Sequence, residues 1–289
     1  MLYRSTSDRL LDTVNIVLLI WIAGMMFFPF LYIFSVSFSS MRDYLEHDFL
    51  LWPKTWVTDA YQYILGNNRF IRSVFVSLFI TAAGTLLNLL FTTTMAYGLS
   101  RPFFGQRTMI FMVLFTFLFS PGIIPTYLIV KETGLIDSLW SLIIPVLVSP
   151  WNMIVMRQFF RNLPEELTEA ATMDGANPIT VFTRVILPLS KPALATFGLF
   201  YAVAHWNSYF SGLLYINNPS NWPIQVLLRQ IVIVNDNTAL LEQQGFVEAP
   251  PAETIQMAAI LLATVPILVV YPFLQKHFAK GVMLGSVKG

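Results

Sequence analysis

Asp, Glu, Lys and Arg are missing from six long stretches of this chain: Thr13–Met41, Ser73–Ser100, Thr108–Val130, Ser138–Met156, Pro192–Leu228 and Thr254–Gln275. A helix needs about 20 mostly apolar residues to cross the hydrocarbon core of a bilayer. Inside lipid, a backbone can satisfy its own polar groups only as a helix or a closed barrel. The stretches therefore predict an all-α integral membrane protein with six transmembrane helices. The fifth stretch is too long for one span, and Asn217-Asn218-Pro219-Ser220-Asn221 is a loop signal that should end its helix near Tyr215.

Composition agrees. Of 289 residues, 56% are hydrophobic and 11% charged, against roughly 25% charged in an average soluble domain. A net charge of +1 provides no global field for nucleic acid. There is no cysteine, and His47, His205 and His277 are too far apart in sequence for metal-ligand spacing. The first apolar run exceeds the roughly 7–15 residues of a signal-peptide core, so a retained helix is expected.

Lys and Arg accumulate on the cytoplasmic side of membrane proteins. With both termini inside, eleven of them, including Arg4, Arg101, Arg157, Arg161, Arg184 and Lys280, fall on inner segments and six on outer ones. This predicts cytoplasmic termini and a single permease domain over residues 1–289. Its sizeable loops would be two external ones, about 41–69 and 216–253, and one internal one, about 157–191. Short helical patterns are visible in the external loops at Thr58–Leu65 and Pro223–Val234.

An ion-coupled transporter normally keeps ionisable residues inside its helices, and the six stretches hold none of Asp, Glu, Lys or Arg. His205 is their one titratable group of that kind, and beside Trp206 and Asn207 it reads more readily as a hydrogen-bonding side chain than as a proton relay. Gly-x-Ser-x-Gly, His-Glu-x-x-His and the phosphate-binding Gly-x-x-x-x-Gly-Lys-Ser/Thr are all absent. No catalytic or metal site is expected, and energy for uphill transport would have to enter through a partner. An ion-coupled transporter and a non-transporting scaffold remain as alternatives at this point.

The internal loop is the most specific segment. In Leu163-Pro164-Glu165-Glu166-Leu167-Thr168-Glu169-Ala170-Ala171, Pro164 suits a first helical turn and the glutamates suit the positive end of the dipole. Gly175 after Asp174 supplies a left-handed stop. Asn177 and Pro178 form an N-cap and first-turn pair for a second helix, expected to reach about Leu187 before Pro188 and Pro192 interrupt it. Together these predict a compact helix-turn-helix.

Glu169-Ala170-Ala171, three residues, Gly175, nine residues and then Val185-Ile186-Leu187-Pro188 resemble the EAA loop of ABC importer permeases, with valine where isoleucine is common. Pro150-Trp151-Asn152, His205-Trp206-Asn207 and the tail from Lys280 to Gly289 extend the resemblance over almost the whole chain. It implies a type I importer permease in the bacterial plasma membrane, without a cofactor of its own. ATP and Mg would belong to two partner ATPase subunits, and a second permease and an external solute-binding protein would complete the assembly. The loop residues Glu169, Ala170, Ala171, Asp174, Gly175, Leu187 and Pro188 would dock the ATPase, and Gly281, Gly285 and Gly289 in the tail would touch it.

The tail is similar to that of the second permease in carbohydrate importers, and the chain looks closest to the branch that takes up uronic-acid oligosaccharides, such as the smaller permease of the alginate importer. Aromatic faces and amides or hydroxyls suit a sugar path. Trp151, Asn152, His205, Trp206, Asn207 and Tyr209 are its candidates here.

Overall fold

A computed structural model describes residues 6–46, 50–233 and 250–286. Among these residues the chain is helical, and its one extended pairing is an isolated bridge between Ser39 and Trp56. In chain order the helices are α1 (Thr6–Ser37), α2 (Met41–Glu46), α3 (Asp59–Leu65), α4 (Asn68–Ser100), α5 (Gln106–Leu118), α6 (Ile123–Glu132) and α7 (Pro150–Arg161). They continue with α8 (Glu166–Met173), α9 (Pro178–Val181), α10 (Leu187–Leu189), α11 (Lys191–Trp206), α12 (Tyr209–Tyr215), α13 (Ile224–Val232) and α14 (Ala252–Ser286).

Among the described residues three segments, Leu10–Ser37, Asn68–Ser100 and Ala252–Val270, are long and apolar enough to cross a membrane as single helices. Three further pairs qualify only as bent spans, which brings the total to as many as six. The predicted third span is broken between α5 and α6, whose axes meet at 117°. Ser120-Pro121-Gly122 is the cause. Proline restricts the residue before it and lacks a backbone N–H. Gly122 adopts φ 83°, ψ 178°, a region open essentially to glycine. The predicted fourth span enters through 3-10 turns at Leu139–Leu142 and Ile144–Val146. It then bends by 49° into α7.

By contact density the described chain forms two compact units. The first comprises residues up to Phe70 together with 228–265. Within it, the loop after α1 is folded. Phe38 stacks on Tyr61 at 4.6 Å between centroids, and Tyr61 OH pairs with Ser37 Oγ at 2.8 Å. Thr55 donates its N–H to Asp43 Oδ2 at 2.9 Å, and its hydroxyl bonds the same carboxylate. The predicted short helix at Thr58–Leu65 is α3.

The second unit comprises residues 71–227 and the chain from Pro266 onward. Among its described residues are two apolar clusters. One joins Val76 and Ile80 of α4 to Val130, Leu142, Ile143 and Tyr215. The other joins Ala96 and Leu99 to Met153, Met156, Phe160, Ile186, Phe197 and Tyr201. Asn88 lies midway along α4 between Ile80 and Ala96, about 12 Å from each at 1.5 Å per residue. Its side chain is the polar layer between two apolar ones.

Candidate functional site: a polar cavity and an exposed helix-turn-helix

Two pairs of side chains one helical turn apart face each other across that layer. Asn88 and Thr92 lie on α4, and His205 and Tyr201 on α11. Thr92 Oγ1 and Tyr201 OH are 2.7 Å apart, and His205 Nε2 lies 3.3 Å from Asn88 Oδ1. Asn88 also donates from Nδ2 to the Val146 carbonyl at 2.9 Å. Its Oδ1 is therefore the acceptor toward histidine, and His205 must carry a proton on Nε2. Gly84, one turn earlier on α4, makes room for the ring, because a Cβ there would lie 2.5 Å from Nε2.

Beside these pairs opens a cavity of about 370 Å³. Asn88, Ser149, Asn152, His205, Asn207 and Tyr209 contribute polar groups to its wall, and Phe200 and Phe210 contribute aromatic rings. Ser149 caps α7 and Pro150 occupies its first turn, which places Asn152 on the cavity wall. Asn207 and Ser208 separate α11 from α12, so the predicted fifth span is interrupted where it meets the cavity. Asn207 donates from Nδ2 to the Val203 carbonyl at 2.9 Å. Among the described residues, no charged side chain lines the cavity.

Four of the six sequence candidates thus converge here: Asn152, His205, Asn207 and Tyr209. Trp151 instead lies exposed and stacks on Phe117 at 6.0 Å. Trp206 is buried and lines a separate apolar cavity of about 110 Å³ with Leu78, Leu199 and Ile267. Asn88, Ser149 and Tyr201 were not among the candidates. The available signal was a polar residue, Asn88, in the middle of a stretch free of charge.

The internal loop folds as two helical segments about a tight turn. Ala176 N–H donates to Ala171 O at 3.0 Å and Gly175 N–H to Thr172 O at 2.9 Å, the paired bonds of a Schellman stop. Gly175 has φ 81°. Asn177 Oδ1 accepts from Thr180 N–H at 2.8 Å, and Pro178 follows in the first turn. Pro164 stands just outside α8, whose N-cap is Glu165, two positions before the first helical residue rather than in the first turn.

Pro188 does not end the second segment as expected. The helix loosens into a π-turn at Phe182–Ile186 and continues through Pro188 to Leu189. A widened turn relieves the clash of a proline ring with the carbonyl four residues earlier. The break falls at Ser190, where the chain turns by 81° into α11.

α8 has two faces. Ala171 packs against the apolar cluster around Met153, Met156 and Phe160, and Thr168 Oγ1 accepts from Arg101 at 2.6 Å. Glu169, Ala170, Asp174 and Gly175 are exposed. So are Met173, at 88%, and Ile179 on α9, at 74%. Leu187 is half-buried and Pro188 exposed. Gly281 and Gly285 lie within the helical backbone of α14, which continues beyond the predicted end at Gln275, and Gly289 lies outside the described residues.

A broken helical unit with an uncharged polar cavity and a projecting helix-turn-helix defines a membrane permease. Residues 73–284 match the family described as binding-protein-dependent transport system inner membrane component, and the chain belongs to that family.

Among its relatives, the chain is 47% identical to Protein LplC of Bacillus subtilis over 100% of this chain and 98% of that one. It is 45% identical to the polygalacturonan/rhamnogalacturonan transport system permease protein YtcP of the same organism, over 98% and 99% of the two chains. It also matches a chain in the crystal structure of a bacterial ABC transporter involved in the import of the acidic polysaccharide alginate. That match has 33% identity and a TM-score of 0.88, covering 96% of this chain and 100% of the other. The fold expected from the resemblance, a type I ABC importer permease, is the fold found.

Proposed function

We propose that this chain is one permease of an ATP-driven importer of oligosaccharides, including acidic ones, and that α8 and α9 transmit the work of a cytoplasmic ATPase. The observation that carries the reading is the outer face of the helix-turn-helix. Glu169, Ala170, Met173 and Ile179 project from a segment whose other face is fixed to the bundle. Large apolar side chains so exposed outside the spans suit a protein partner. The Schellman stop makes the projection rigid, as a lever requires. In this reading both termini and the 157–191 loop are cytoplasmic, ATP and Mg are bound by two ATPase subunits, and a second permease completes the path.

The cavity beside Asn88 and His205 forms part of that path. Amides, hydroxyls and aromatic rings serve sugar hydroxyls and pyranose faces, and relatives named for galacturonan and alginate transport favour a uronic-acid substrate. Because the wall is uncharged, cations for the substrate carboxylates come from the second permease or the binding protein. The binding protein docks on the outer loop from Ile216 to Glu253. Its described part is ordered by Trp222 Nε1 donating to Ile216 O at 3.1 Å and Ile224 N–H donating to Ser77 Oγ at 2.8 Å, while residues 234–249 lie outside the described residues.

Reconstitution with the partner subunits tests the reading. ATP hydrolysis should rise with binding protein loaded with oligogalacturonate or oligoalginate, and Met173→Glu should abolish that rise while the subunits still copurify. Unchanged stimulation in Met173→Glu would remove the proposed role of this face.

A further inference from the structure

A third cavity, of about 300 Å³, opens where α4 ends, α5 begins and α7 ends. Its wall carries three guanidinium groups, Arg101, Arg157 and Arg161, against one carboxylate, Glu165. None of these four makes an ion pair among the described residues. Arg157 donates from Nε to Leu99 O at 2.7 Å, which fixes the head of its side chain. Arg101 is held by Thr168 and lies 5.5 Å over the ring of Tyr97. Gln106 donates from Nε2 to the carbonyls of Leu99 and Arg101, each at 2.9 Å, so the rim of the cavity is braced. Three like charges with a single carboxylate among them repel, and an anion with several acceptor oxygens would offset that excess. Arginine forks suit such a group.

The position of the cavity selects the source of the anion. It sits at the ends of apolar spans, where headgroups lie. The connection it borders, from Arg101 to Gly105, exposes Phe103 and leaves the Phe104 ring fully exposed. Aromatic rings so placed are at home in the membrane interface, and basic pockets between span ends accept anionic headgroups. We propose that this cavity binds the phosphate of an anionic phospholipid. Through Arg101, which bonds α8 directly, the bound headgroup steadies the root of the helix-turn-helix. The placement of this cavity on the cytoplasmic leaflet rests on the orientation proposed above, but lipid binding itself requires neither ATP nor transport.

The test is native mass spectrometry of the full-length chain in detergent, titrated separately with phosphatidylglycerol, phosphatidylcholine and inorganic phosphate. Phosphatidylglycerol should bind saturably and at least tenfold more tightly than phosphatidylcholine. Arg161→Gln, at an exposed position with no protein hydrogen bond to lose, should weaken it severalfold. Arg157→Gln should do the same, and Arg157→Lys, which keeps the charge and loses the fork, should bind more tightly than Arg157→Gln and less tightly than the parent.

Equal binding of the two lipids, or variants that bind as tightly as the parent, would overturn the proposal. Binding of inorganic phosphate without lipid preference would assign the cavity to a free anion instead. A photo-crosslinker at position 161 that captures an ATPase subunit in membranes, rather than lipid, would assign it to an acidic partner side chain. Because the titration involves no turnover, loss of coupling in Met173→Glu and loss of lipid binding in Arg161→Gln can be told apart.

Discussion

His205 donates from Nε2 to Asn88 Oδ1 over 3.3 Å, joining positions 117 apart in the chain. Both side chains are buried, and the Val146 carbonyl occupies the other end of the asparagine amide. The bond thus ties α4, α11 and the entry to α7 together at the wall of the polar cavity. Its tightness predicts the result of adding one carbon. In Gly84→Ala the new methyl would meet the imidazole at 2.5 Å, and overpacking of this kind costs about 1–3 kcal/mol. Thermal unfolding in detergent should show a lowered midpoint. Adding His205→Ala should cost less on the Gly84→Ala background than on the parent, since the two changes share one space.

Asn88→Ala would strip partners from the His205 N–H and the Val146 carbonyl at once. Each buried group left unsatisfied costs about 1–3 kcal/mol. The variant should assemble poorly at elevated temperature, and Asn88→Asp should not rescue it, because a carboxylate cannot donate to Val146. A melting curve with an unshifted midpoint for Asn88→Ala would contradict this account of the layer.

At the cavity itself, Asn207 is exposed and uses its Nδ2 on Val203. Asn207→Ala should leave stability nearly unchanged and raise the KM for substrate-stimulated ATP hydrolysis severalfold, in keeping with the roughly 0.5–1.5 kcal/mol of a neutral hydrogen bond. The quantity to follow is KM against kcat in the reconstituted importer. A change in kcat with constant KM would place Asn207 outside the sugar path.

Gly175→Val and Glu169→Lys probe the proposed coupling segment by different routes. At φ 81° a side chain pays about 1–2 kcal/mol for the left-handed conformation, so valine should redirect α9. Lysine at 169 is solvated in the isolated chain and reverses the charge on the surface proposed to meet the ATPase. Both should assemble with normal stoichiometry, retain basal ATP hydrolysis and lose its stimulation by loaded binding protein. Normal uptake by both would reduce the loop to a linker.

Asp137 supplies a local counterpart. It adopts φ 63°, and its Oδ1 accepts from the N–H groups of Asn217 and Asn218 at 3.0 and 2.9 Å. Asp137→Ala should loosen the turn after α12, seen as faster hydrogen exchange at Asn217 and Asn218, while Asp137→Asn should preserve much of the protection. Equal exchange in the parent and the alanine variant would show that the turn is held by other contacts.

Some of this structure follows from neighbours in the chain. The capping of α9 by Asn177, the left-handed stop at Gly175 and the ends of α3 and α12 are decided within a few residues, by backbone preference and hydrogen-bond chemistry. The apolar stretches likewise mark where spans occur, because the burial of a whole segment in lipid depends on its summed hydropathy. The same reasoning misplaced the continuity of those spans. Pro121 and Gly122 break the third, whereas Pro188, read as a stop, is absorbed by a π-turn.

Sequence by itself therefore determined the number of apolar segments, the helix-turn-helix and its stop, and the polar residue types available to a sugar path. Tertiary structure decided which of those residues meet. His205 turned to Asn88 because Gly84 left room for its ring, Trp151 and Trp206 faced away from the cavity holding Asn152 and Asn207, and Ala171 turned inward while Ala170 stayed exposed. Hydropathy and capping act along contiguous residues and are written there. Which face of a helix is covered depends on side chains brought from far along the chain, and only their packing selects it.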